Sequence, residues 1–290
     1  MKLFFAPIAA ALTLLAAPVL AVEEEVKTLD ELYADVIAEG GKLIFYHGGD
    51  LANQQDSLKA AFEEAFPGVN VTMVVDYSKY HDVRIDNQLE TDTLVPDITA
   101  LQTVQNFPRW AKAGDLLEYK PANFSKIYDG LKDKNGAWLA TAGSGLPPWP
   151  TRASTANNLV TAQDKVIGVG TYAGAPPIVY VGGNGTEYLT WGQRLAILAK
   201  AKHPAAAKLF MNWIVSTEVQ ESVVLETVRT DIAPSGSSHP WEISEANLDA
   251  FPLFMSNRAQ VEALKQTFAL YFGEVQGEPT PGYLGVHPGL

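Results

Sequence analysis

The stretch Leu43-Ile44-Phe45-Tyr46-His47-Gly48-Gly49-Asp50 decides how this chain reads. An apolar run fit for a buried strand ends in a glycine pair, and an acidic residue then opens an amphipathic segment. In open α/β sheets, ligands sit just beyond the carboxyl ends of strands, where backbone N–H groups and helix N-termini point at them. His47, Gly48, Gly49 and Asp50 are therefore the first candidates for contact with a ligand.

Upstream, Thr28-Leu29-Asp30-Glu31 is a capping box, followed by Leu29, Leu32, Val36 and Ile37 at helical spacing. Gly40-Gly41 stops that helix, and Lys42 to Tyr46 reads as a strand. Asp50 is placed to N-cap a helix whose apolar face is Leu51, Leu58, Phe62 and Phe66, interrupted by Gln55. Pro67-Gly68 ends it, and Val69 to Val75 forms the next strand. Asp76-Tyr77-Ser78-Lys79-Tyr80 leads into a helix reaching Glu90. A third strand lies within Leu94 to Leu101, with Pro96 at its start, and a short helix opens at Asn106-Phe107-Pro108 and closes at Gly114. Strands alternating with helices predict an α/β fold with a mainly parallel sheet flanked by helices.

The character changes after Gly136. The span 141–158 is rich in Gly, Pro, Ser and Thr, and the whole of 139–188 is long for a connection inside one domain. Helical order is expected again after Thr190, with Trp191, Leu195 and Leu198 on one apolar face. Pro204 then starts a helix that buries Leu209, Phe210, Trp213 and Ile214, and Thr217-Glu218-Val219-Gln220 is a further capping box. A last helix, Arg258 to Phe272, carries Val261, Leu264 and Phe268 on one side, and the tail from Gly277 is rich in Pro and Gly.

The first 21 residues combine Lys2, an apolar run and a small-residue end at Val19-Leu20-Ala21, the pattern of a secretory signal peptide. Pro7 and Pro18 make the run a poor spanning helix, so a secreted chain (periplasmic in a bacterium) without a membrane span is expected. Its removal takes the formal charge from -12 to -13, because Lys2 is lost. So acidic a surface, with no basic cluster, argues against a nucleic-acid partner. Cysteine is absent, which excludes disulfides, thiol nucleophiles and Cys-based zinc sites. Asn70, Asn123 and Asn184 each head an N-glycosylation sequon.

The search for catalytic chemistry returns little. Gly168-Val169-Gly170-Thr171-Tyr172-Ala173 matches a dinucleotide fingerprint, but Pro176-Pro177 forbids the helix that the motif requires. Neither a nucleophile elbow, nor a phosphate loop, nor a paired-histidine zinc motif occurs, and His47, His81, His203, His239 and His287 have no metal-ligand spacing. Asp82, Asp86 and Glu90 recur every four residues, as a charged outer stripe of a helix would. No catalytic group, metal ligand set or cofactor is expected. Polar and aromatic groups do collect at three consecutive strand ends: His47, Gly48, Gly49 and Asp50; Tyr77 and Tyr80; Gln102 and Thr103.

With these residues in hand, the chain resembles the extracellular solute-binding proteins of ABC importers, in the periplasmic-binding-protein type II class. It is most similar to the iron(III)-transport-like branch, in its exported fungal-type versions. The resemblance rests on the Leu43–Asp50 turn, Asp76-Tyr77-Ser78-Lys79-Tyr80-His81-Asp82, Asp97-Ile98-Thr99-Ala100-Leu101-Gln102-Thr103 and Arg109-Trp110-Ala111-Lys112-Ala113-Gly114-Asp115-Leu116-Leu117. It resumes at Trp191-Gly192-Gln193-Arg194 and at His203-Pro204-Ala205-Ala206-Ala207-Lys208-Leu209-Phe210. The family implies two α/β lobes with a ligand trapped between them. Here the 139–188 stretch stands where most of the second lobe belongs, and only isolated Tyr172 and Tyr180 occur where iron-binding members place a tyrosine pair.

The expected organisation is a signal peptide (1–21), a first part of the binding lobe (22–138), an irregular segment (139–188) and a helical return segment with its tail (189–290). The expected function is binding of a small-molecule or anionic ligand, or a metal complex, by a non-catalytic monomer whose cleft is incomplete. A secreted hydrolase, and a scaffold or interaction protein with no small ligand, stand as alternatives.

Overall fold

The computed structural model describes residues 21–49, 52–140, 185, 187–224, 226–234 and 238–273. The signal peptide, Asp50, Asn184, Tyr172, Tyr180, the dinucleotide-like motif and the tail from Gly277 lie outside the described residues.

Helix α1 (Leu29–Glu39) begins at the expected capping box: Glu31 N–H donates to the Thr28 hydroxyl and the Glu31 carboxylate accepts from Thr28 N–H. Gly40 closes it in the left-handed region at φ 115°, where an L side chain is strained. Strand β1 (Lys42–Gly48) follows, then α2 (Asp56–Ala65), β2 (Asn70–Asp76), α3 (Ser78–Glu90), β3 (Ile98–Leu101) and α4 (Asn106–Ala113). Short strands β4 (Leu139–Ala140) and β5 (Tyr188–Leu189) flank the central stretch. Then come β6 (Arg194–Ile197), α5 (Pro204–Ile214), α6 (Thr217–Ser222), β7 (Ala246–Asn247), α7 (Ala250–Ser256) and α8 (Arg258–Phe272).

Five strands make one sheet in the order β2-β1-β3-β6-β4, and β5 pairs with β7 separately. β1 is parallel to both β2 and β3, whereas β6 runs antiparallel to β3 and to β4. Both faces of the sheet are covered, which is why β1 reads as an unbroken apolar run. Leu43 and Phe45 pack toward one core with Leu32, Val36, Phe62 and Phe210; Tyr46 packs toward the other with Ile85, Phe107 and Trp110. On the first face Phe45, Phe62, Phe210 and Trp213 form an aromatic cluster with centroids 5.0–5.6 Å apart, joining α2 and β1 to α5.

Three expectations change. The helix placed on Trp191, Leu195 and Leu198 is instead strand β6, in the middle of the sheet. Leu195 and Ile197 serve one core and Ala196 and Leu198 the other, so burial on both faces erases the two-residue alternation. Helix α2 starts at Asp56 rather than after Asp50, with residues 52–55 in turns ahead of it. The cap of α6 is Ser216, whose hydroxyl accepts from Val219 N–H, while Thr217 Oγ1 accepts from Arg229.

Asp97 locks the sheet to its return segment. Its carboxylate is fully buried and accepts from Ile44 N–H at 2.8 Å, Lys202 N–H at 2.9 Å and His203 N–H at 2.8 Å, with His203 Nδ1 at 2.9 Å. Glu39, at the end of α1, caps the start of α5 by accepting from the N–H groups of Ala205 and Ala206. Asp97→Ala should cost about 3–5 kcal/mol, because it strands several buried donors at once, and Asp97→Asn roughly half of that. Urea unfolding should report a lower midpoint with an unchanged slope for both variants.

Candidate functional site

The carboxyl ends of β1, β2 and β3 lie side by side and are tied to one another. Gly49 N–H donates to Asp76 O at 2.9 Å, and Gln102 N–H donates to the Ser78 hydroxyl at 3.0 Å. Gly48 has no room for a side chain, since a Cβ would lie 2.1 Å from Ser78 Oγ. The return strand closes on the same edge: Gln193 Nε2 makes a long, 3.5 Å contact with Gly48 O, and Arg194 Nη1 donates to Val104 O at 2.6 Å. Ser78 thus lies against Gly48 and bonds Gln102 at the same edge.

His47 is less available than its position in the sequence implied. β1 continues through Gly48, so His47 is a strand residue, 4% exposed, with its ring beside Phe45. Its Nδ1 lies 2.8 Å from Gly48 O, an acceptor, which fixes the Nδ1–H tautomer. Burial pushes its pKa down to about 4, so the ring is neutral.

A buried polar network underlies this edge. Asp76 accepts from Arg84 Nη2 at 2.5 Å and from Tyr77 N–H at 2.7 Å. Arg84 Nη1 lies 3.3 Å from His81 Nδ1, and His81 Nε2 lies 3.1 Å from Val74 O. Because Arg84 can only donate and a carbonyl can only accept, His81 carries its proton on Nε2. Burial, and then the Arg84 charge, push its pKa down to about 3. The ring stacks on Tyr46, whose hydroxyl accepts from Gln88. His81, Arg84 and Gln88 fall on one helix face by spacing, a polar inward stripe that the sequence held but that was not singled out.

Tyr77 and Tyr80 meet edge to face at 5.7 Å, and Lys79 Nζ lies 5.6 and 5.1 Å from their ring centroids. Thr103 Oγ1 is buried without a hydrogen-bond partner among the described residues, a cost of about 1–3 kcal/mol that marks a place where a ligand or water would be accepted. Gln102 has an exposed side chain. The Asp82 and Asp86 row, expected as a solvated stripe, holds α4 in place: Asp82 accepts from Asn106, and Asp86 from Arg109 and Trp110 Nε1. Among the described residues no group of three His, Asp or Glu could hold a metal ion, and no helix is long and apolar enough to cross a membrane.

Comparison with known proteins follows this geometry. The model of the bacterial extracellular solute-binding protein family matches residues 140–221, a span that runs from the central stretch through β6, α5 and α6. Among solved structures, iron-bound HitA from Pseudomonas aeruginosa superposes with a TM-score of 0.54 at 13% identity, covering 78% of this chain and 98% of its own. The chain has the solute-binding-protein fold. Apo ferric ion-binding protein A from Pasteurella haemolytica matches with a TM-score of 0.53 at 11% identity, over 82% of this chain and 100% of that one. AfuA from Actinobacillus pleuropneumoniae, bound to fructose-6-phosphate, gives 0.53 at 12% identity, over 79% and 98%. Curated protein sequences include no match. These solute-binding relatives share the α/β architecture described above, with a sheet flanked by helices.

The two neutral histidines couple this edge to acid. Unfolded, each would take up a proton near its ordinary pKa of 6.5, whereas folded they resist until about pH 4 and 3. Their contribution is therefore complete above about pH 6.5 and is lost as the pH falls through that window, by up to about 3 kcal/mol for His47. Urea unfolding between pH 4 and 7 should show a shallower acid slope in His47→Gln than in the unmodified chain.

Proposed function

We propose that this chain is an exported, non-catalytic solute-binding protein that holds a small anion, or an anionic metal complex, at the carboxyl edge of its main sheet. The observation that carries this reading is the convergence of three strand ends, where Gly49 and Ser78 tie the loops together and the Thr103 hydroxyl is buried without a partner among the described residues. Backbone N–H groups at such an edge favour negative charge. His47, Gly48, Gly49, Asp50, Tyr77, Tyr80, Gln102 and Thr103 are the residues assigned to the ligand. Neutral His47 would serve as a hydrogen-bonding group and not as a cation. AfuA was solved with fructose-6-phosphate, an anionic solute of the kind this reading assigns, and HitA with iron.

The lobe comprises 22–138 with the return segment 189–290, since β6 from the latter sits between β3 and β4. The span 139–188 stands where this family's plan puts most of a second lobe, which supports the reading of an incomplete cleft. Asn70, exposed at the start of β2, Asn123 and Asn184 are assigned as glycan acceptors, and the chain acts as a monomer.

A half-walled cleft loses the closure that gives these proteins their affinity. Isothermal titration with phosphate, citrate, ferric citrate and sugar phosphates should give dissociation constants weaker than micromolar. A micromolar or tighter signal would show that a working second wall exists.

A further inference from the structure

Among the described residues, three arginines are nearly or fully buried, and two of them have a carboxylate. Arg84 pairs with Asp76, and Arg229 pairs with Asp231. Arg194 does not: it is 9% exposed, yet no carboxylate lies within ion-pair distance of it among the described residues. Nη1 donates to Val104 O at 2.6 Å, and the guanidinium centre lies 3.7 Å from the Trp138 ring centroid. Asp133 is the nearby charge that Arg194 feels, but it lies beyond ion-pair distance, and its Oδ2 accepts from the N–H groups of Asn135 and Ala137. Among the described residues, Nη1 alone of the guanidinium nitrogens makes a hydrogen bond. Burial of a cation is costly, and a single cation–π contact offsets only part of that cost.

Arg194 also lines a small opening in the surface, together with Trp138, Trp191, Gly192, Leu248 and Pro252. Trp191 is held by stacking on Phe251 at 4.3 Å. Arg194 pairs in register with Leu101, at the carboxyl end of β3, so this opening lies on the same sheet edge as the strand-end groups. The neighbouring residue, Gln193, reaches Gly48 O. A planar fork of donors beside aromatic walls is suited to an oxyanion carried on an organic body.

We propose that Arg194 supplies the counter-charge for the carboxylate or phosphate of a small organic solute, whose apolar part lies against Trp191 and Pro252. This rests on the solute-binding reading and narrows its ligand class to organic oxyanions. Neutral solutes would leave the guanidinium as it stands, buried and without an anion. A ligand that neutralises it gains a charge-assisted, bidentate contact in a partly dehydrated site.

The test uses the full exported chain with four probes: fructose 6-phosphate, benzoate, inorganic phosphate and neutral fructose. Binding is read by tryptophan fluorescence and by thermal unfolding, with Arg194→Gln and Arg194→Lys beside the unmodified protein. Fructose 6-phosphate or benzoate should raise Tm by about 2–4 °C at ten times its Kd and fructose should not. In Arg194→Gln the affinity should fall at least tenfold, with Arg194→Lys in between. The ligand-free Tm of Arg194→Gln should equal or exceed that of the unmodified chain, because an unpaired buried charge has been removed. A lower ligand-free Tm with unchanged anion affinity would assign Arg194 a purely structural part and overturn the proposal. Equal binding of fructose and fructose 6-phosphate would overturn it as well, while leaving the solute-binding reading intact. Failure of every probe, together with ferric citrate, would overturn both.

Discussion

The buried carboxylate of Asp97 is the junction on which the rest of the fold depends. It stands at the root of β3, bonds sideways to β1 through Ile44, and grips the segment that opens α5 through Lys202 and His203. A carboxylate removed from water is costly unless its lone pairs are filled, and here donors separated by more than 100 residues along the chain fill them. The backbone of Asp97 contributes as well, donating to Ile44 O and accepting from Leu198 N–H. The first strand, the third strand and the return strand are therefore fixed relative to one another at one point. The aromatic cluster of Phe45, Phe62, Phe210 and Trp213 can then close over one face, and Glu39 can cap α5.

Fixing the roots of the strands positions their tips. β1 runs four residues from Ile44 to Gly48, so a lock at the amino side sets where the glycine pair emerges. The carboxyl edge needs support from beneath, and α3 provides it with Arg84 on Asp76 and with His81 against Tyr46. Both histidines near the edge are held neutral, so this region presents dipoles and hydroxyls instead of titrating charge at ordinary pH. The permanent positive charge enters from the other direction, on β6, because an antiparallel return strand begins where its parallel neighbours end.

Features that act within a few residues were legible in the sequence. The Thr28–Glu31 capping box, the glycine stops at Gly40 and Gly114, Pro204 at the start of α5 and the double-sided burial of β1 all follow from local rules. Features that depend on partners far along the chain were not. The segment from Trp191 to Leu198 shows apolar spacing compatible with a helix, and only its place between β3 and β4 makes it a strand. Asp82 and Asp86 have the spacing of a solvated stripe until α4 packs on them. His47 has the position of a ligand-facing turn residue, but two more residues of pairing with β2 extend the strand past it. Asp97 and Arg194 look ordinary in sequence, since nothing in their neighbours announces burial.

The net charge bears on why a single buried arginine matters. A chain with a formal charge of -12 repels small anions over most of its surface, more so at low ionic strength. An anion reaching the sheet edge must find a local reversal of sign in a place where water screens little. Arg194 meets both conditions, because it is buried among Trp138, Trp191 and the backbone of Val104. Lys79, which lies over Tyr77 and Tyr80, is exposed and therefore screened, and Arg84 is already paired with Asp76. The guanidinium on β6 is thus a buried positive charge at this edge that the described residues leave without a carboxylate.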